Sequence, residues 1–121
     1  MLVTASALFG IVVVLGSLLA AMHLRKEDRL APLWLGTLHG LLALAGLGCL
    51  VLALRGPQRG LHTGTASFGM ISAVLIALAA LAGGGLLMMR LRRKPPASLL
   101  IGIHATFAVC GFVILGVYVL G

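Results

Sequence analysis

Apolar residues run along this chain in long blocks with no two-residue alternation, and the charged residues are gathered between the blocks. Charges fall within 25–29, at Arg55 and Arg59, and within 90–94, leaving four uninterrupted stretches at 2–24, 32–54, 68–89 and 98–120. The four are of nearly equal length. At about 1.5 Å per residue, a helix over any of them covers roughly 33 to 35 Å, enough to cross a hydrocarbon core of about 30 Å with some tilt. Lipid offers no partners to backbone N–H and C=O groups, so a spanning segment without alternation is a helix that satisfies its own backbone. The pattern predicts an all-α integral membrane protein: one transmembrane domain over 1–121, built as a four-transmembrane-helix bundle.

Composition excludes the aqueous alternatives. Of 121 residues, 61% are hydrophobic and 9% charged, and the mean hydropathy is +1.21. A soluble domain of this size carries roughly a quarter of its residues charged. A net charge of +7 would suggest nucleic acid as a partner of a soluble protein. Here the cations sit in loops with no interleaved aromatics, so nucleic acid is set aside and lipid is the expected surrounding. The basic residues instead report orientation. Arg25, Lys26 and Arg29 occupy the first connection, offset by Glu27 and Asp28; Arg90, Arg92, Arg93 and Lys94 occupy the third; the second holds only Arg55 and Arg59. Connections one and three are therefore expected on the cytoplasmic side of a bacterial inner membrane, with both termini on the periplasmic, outer side. The first apolar run is too long for a signal peptide and lacks a basic leader, so it is expected to be retained as a helix. Gly56, Pro57, Gly60 and Gly64 favour turns in the second connection, and Pro95 and Pro96 require helix three to have ended.

A single gapless displacement of the sequence on itself places Arg25 on Arg90, Arg29 on Lys94, His39 on His104, Ala43 on Ala108 and Gly46 on Gly111. The shared signature is H-x3-A-x2-G. It is compatible with two parallel-repeat helical hairpins related by an axis along the membrane normal.

The candidate chemistry is in the same two copies. His39 and His104 lie seven and six residues inside the cytoplasmic starts of their spans, at a common depth of roughly 9 to 11 Å. An ionisable residue inside the membrane is costly to leave unpaired and is a functional-site candidate. Ala43 and Gly46 share the face of His39, and Ala108 and Gly111 that of His104. Gly16 and Ser17, Gly36, Thr37 and Gly40, the run Gly83, Gly84 and Gly85, and Gly102 and Ala105 add small residues near that level. Such a layer leaves room for a flat cofactor between two imidazoles, and haem b is the leading candidate, with His39 and His104 as axial metal ligands. Gly84 and Gly85 are expected beside it, and Arg25 and Arg90, with Arg92 and Arg93, near its propionates. One haem at most is expected, because neither ligand span holds a second histidine. The competing explanation is close helix packing, with the histidines bonded across the bundle to Ser, Thr or backbone carbonyls. In its paired histidines the plan is similar to b-type cytochrome bundles, a likeness confined to architecture and two residues.

Other features narrow the function classes. Cys49 and Cys110 lack C-x-x-C partners, and Met22, Met88 and Met89 read as flexible filler. Trp34 and Tyr118 are expected as interfacial anchors. Glu27 and Asp28 are the only acids, adjacent in one loop, so hydrolytic catalysis and acid-dependent proton-coupled export lack their machinery; no membrane lysine is present for a retinal Schiff base. Three functions remain. The first is a haem-binding electron-transfer protein or haem-bearing subunit of a membrane redox complex. The second is a non-catalytic accessory subunit with partner subunits or as a homo-oligomer, its histidines structural or holding a pigment or quinone. The third is a small transporter.

Overall fold

The computed structural model describes residues 1–25, 32–57 and 59–121. Residues 26–29, counted above for orientation, lie outside them. Four helices account for almost all of the described chain: α1 (Leu2–Leu24), α2 (Leu33–Leu54), α3 (Phe68–Leu91) and α4 (Ser98–Leu120). All four are long and apolar enough to cross a membrane, so the chain is a multi-pass, all-helical membrane protein whose exposed leucines and valines face lipid.

The boundaries follow the sequence closely, and two departures have local causes. Pro32 stands outside α2 as its N-cap, with an extended ψ of 134° beside a φ that the ring locks. Helix α3 continues past Met89 through Arg90 to Leu91. A charge ends an apolar span without ending a helix. The helix stops at Arg92, where Arg93 adopts a left-handed φ of 55°, and Arg93 and Lys94 N–H donate back to Arg90 and Met89 carbonyls. This is a Schellman turn with arginine in the place usually given to glycine. In the second connection Gly60 and Gly64 take positive φ of 74° and 73°, as turns there require.

Consecutive helices are neighbours: α1 packs on α2, α3 on α4, and the two hairpins join along α2 and α3 and, less extensively, along α1 and α4. The diagonal pairs, α1 with α3 and α2 with α4, have no backbone approach within 8 Å among the described residues. Four buried positions of α1, Leu2, Ala5, Phe9 and Val12, recur at the same mutual spacing in α3 as Gly69, Ser72, Ile76 and Ala79, all buried. Gly46 and Leu50 of α2 recur likewise in α4 as Gly111 and Leu115. The hairpins thus share most of their buried positions, the exceptions being Leu35, Ala73 and Tyr118, whose counterparts Leu100, Ser6 and Ala53 are half-buried. The displacement that sets His39 on His104 fits α2 and α4 only. Helices α1 and α3 correspond at a slightly longer one, their C-caps Arg25 and Arg92 included, so Arg25 is matched by Arg92 rather than by Arg90. The difference is absorbed between the helices, where the first connection, 25–32, is longer than the third, 92–97.

Packing is concentrated at one end. The core cluster of Leu2, Ala5, Phe9, Leu50, Ala73, Ile76, Leu115 and Tyr118 lies wholly in the half towards the second connection. Its glycines permit close contact: a Cβ at Gly46 would stand 3.1 Å from the Phe9 ring, and one at Gly111 would stand 2.8 Å from Ile76 Cγ1. Ser72 donates to the Gly111 carbonyl at 2.8 Å. Tyr118, expected as an interfacial anchor, is turned inward over Gly69 and is only 4% exposed, because a glycine on α3 opens a slot that lipid would otherwise share. Trp34 is exposed as expected. In the opposite half Leu35 is the only buried residue among those described.

Candidate functional site

The histidines occupy the loosely packed half. The run from Leu33 to His39 on α2, and the equally long run from Ser98 to His104 on α4, bring the two rings to one level. Their centroids are 5.9 Å apart and their planes inclined at 66°. The backbones of α2 and α4 do not approach, so the imidazoles themselves span the diagonal of the bundle. Both side chains are half-buried.

The other diagonal supplies glycine. A Cβ on Gly16 of α1 would stand 3.0 Å from His39 Cε1, and one on Gly83 of α3 would stand 3.0 Å from His104 Cε1. A layer of four residues results, His39 and His104 on one diagonal, Gly16 and Gly83 on the other. Any larger residue at either glycine would occupy the space of an imidazole. Gly83 takes this place, whereas Gly85 packs on Leu100 and Gly84 faces outward with nothing near it. The sequence run Gly83 to Gly85 holds three glycines in a row, and the rotation of α3 that selects the first is a tertiary property.

Hydrogen bonding divides the two rings. His104 Nδ1 lies 2.8 Å from the carbonyl oxygen of Ala79 on α3. The equivalent carbonyl on α1, by the correspondence of α1 with α3, is that of Val12, which interacts with the His39 ring more weakly than Ala79 does with His104, without closing a hydrogen bond at Nδ1. His39 Nδ1 is buried and has no partner among the described residues. The hydroxyls expected to compete for these rings are engaged elsewhere: Ser17 and Thr37 each bond to a carbonyl of their own helix, at 2.9 Å and 3.0 Å.

The remaining candidates are arranged around this layer. Arg90, Arg93 and Lys94 line a basin at the end of α3. Arg25 caps α1 at the same end of the bundle. Cys49 is half-buried against the core and Cys110 exposed, and both are free thiols. Among the described residues no His, Cys, Asp or Glu group of three or more is placed to hold a bare metal ion. Two imidazoles alone leave most positions of a metal unfilled, and a macrocycle that brings its own four nitrogens removes that shortage. In comparisons with known proteins, the chain matches no family model, no curated protein and no solved structure.

Proposed function

We propose that this chain is a small b-type haem-binding membrane protein that carries electrons as, or beside, a subunit of a larger redox complex, with His39 and His104 as its axial ligands. The observation that carries this is the meeting of two imidazoles across a diagonal whose helices otherwise stay apart. Bonds of about 2 Å from a metal to imidazole nitrogen put the centroids of two opposed rings roughly 6 Å apart, close to the 5.9 Å here. Three further features fit. His104 turns Nδ1 to a carbonyl, which leaves Nε2 for a metal. His39 keeps a buried nitrogen without a partner. Gly36, one turn before His39, is half-buried, and a Cβ there would meet nothing.

Haem held by His39 and His104 would supply one-electron transfer. The chain's own part is positioning. Gly16 and Gly83 bring α1 and α3 against the ring edges, and the Ala79 carbonyl fixes one ring's orientation. The cations Arg90, Arg93 and Lys94 stand at the end where propionates would emerge. In this proposal the first and third connections are cytoplasmic and the membrane is the bacterial inner membrane, on the distribution of Lys and Arg. With four spans and short connections, membrane partner subunits or further copies of the chain are the natural recipients of electrons.

One observation favours the accessory-subunit alternative. The bond from His104 to Ala79 joins α4 to α3, and such a bond accounts for a membrane histidine without any cofactor. An absorption spectrum separates the two. Protein purified in mild detergent is expected to show a Soret band and an α-band sharpened by dithionite, both weakened or lost in His39→Ala and in His104→Ala. A colourless protein whose histidine variants remain folded would favour the accessory function instead.

A further inference from the structure

We infer that the two imidazoles are unequal, with His104 the fixed ligand and His39 the exchangeable one, so that the site admits a small diatomic ligand in place of His39. This rests on haem binding at the pair and deepens it. The two hairpins bury mostly matching positions, so a difference between their histidines is a departure from a shared plan and has to come from particular residues.

Two independent differences point the same way. The first is the outer hydrogen bond. His104 Nδ1 is held 2.8 Å from the Ala79 carbonyl, whereas His39 Nδ1 is buried and unpartnered among the described residues. The ring positions agree: a Cβ at Gly83 would stand 3.1 Å from His104 Nδ1, and one at Gly16 would stand 3.6 Å from His39 Nδ1. His39 Nδ1 thus sits slightly farther from α1 than His104 Nδ1 does from α3. A carbonyl partner on the far nitrogen fixes the tautomer and orientation of a ligating histidine and raises its basicity; loss of such a partner typically weakens ligation by about 10–100-fold. The second difference is the company each ring keeps on its own helix. His39 is flanked by Gly36 and Gly40, where a Cβ would meet nothing. The equivalent positions around His104 are Ile101 and Ala105. One turn before each histidine, α4 therefore carries the bulk of an isoleucine where α2 carries none.

The exchange is a ligand substitution with no redox or proton bookkeeping. The bond from iron to the His39 nitrogen breaks, a bond from iron to carbon monoxide forms, and iron stays ferrous. Carbon monoxide is the probe because it binds ferrous haem only where an axial position is open or can be opened.

Two measurements test the inference. In the dithionite-reduced protein, carbon monoxide is expected to give a difference spectrum. His39→Ala should keep haem and bind carbon monoxide roughly 10-fold or more tightly than the parent, while His104→Ala should lose haem. A coloured parent that refuses carbon monoxide, or in which His39→Ala loses haem as completely as His104→Ala, overturns the inequality and leaves haem binding intact. A colourless parent overturns both. Nitrogen-15 NMR of the histidine rings in haem-free parent protein needs no variant to fold. It should find His104 locked with its proton on Nδ1 and His39 in exchange between tautomers; two rings with the same tautomer signature would defeat the inference.

Discussion

The two halves of this bundle are built from the same helices and held together differently. Towards the second connection, Leu50 and Leu115 are fully buried, an aromatic ring lies over Gly46, and a serine bonds across to α4. Towards the first and third connections, Leu35 alone among the described residues is buried and two imidazoles bridge the centre. One half is a packed core that sets the positions of the helices. The other is a site whose geometry depends on that core. Rigid packing in one half holds the less filled half in register, so that the polar groups in it can be specified without having to support the fold.

The largest test removes volume from the packed half. Leu115→Ala is expected to lower stability by about 2–5 kcal/mol, read by thermal or SDS-induced unfolding in detergent micelles, while protein that remains folded keeps its histidine pair. Equal losses from truncating Leu115 and Leu35 would erase the distinction between the halves. A smaller effect is expected of Ser72→Ala. Interhelical hydrogen bonds in membranes average about 0.6 kcal/mol and reach about 1.7 kcal/mol, and the buried bond to Gly111 belongs towards the upper part of that range. The smallest effect is expected in the open half, where Gly36→Ala adds a Cβ that meets nothing. Its stability should rise by no more than about 0.5–1 kcal/mol, from alanine's better helix propensity, and a large loss there would show a tightly packed histidine end.

Part of the site was legible in the order of residues alone. His39 and His104 stand at matching distances from the starts of their helices, so rise per residue put them at one depth. The signature H-x3-A-x2-G marked them as equivalents. What remained out of reach was the identity of their neighbours. Gly16 was one small residue among many, and Gly83 could not be told from Gly84 or Gly85. The carbonyls of Val12 and Ala79 belong to residues with no functional side chain, so no sequence pattern marks them. The correspondence of α1 with α3 was hidden by the unequal lengths of the first and third connections. Pairing Phe9 with Ile76, each set against a glycine two turns beyond a histidine, would have revealed it.

Sequence by itself determined that this chain crosses a membrane four times as helices, and where each crossing starts and stops, because transfer from water to lipid depends on the run of side chains in order along the chain. It determined the level of the histidines for the same reason. It could not determine which way each helix turns about its own axis. Helices that are apolar on every side carry no stripe to mark an inner face. Only contact among the four helices, glycine against ring and leucine against leucine, decided that the two imidazoles meet, that one of them is held by a carbonyl, and that the other is not.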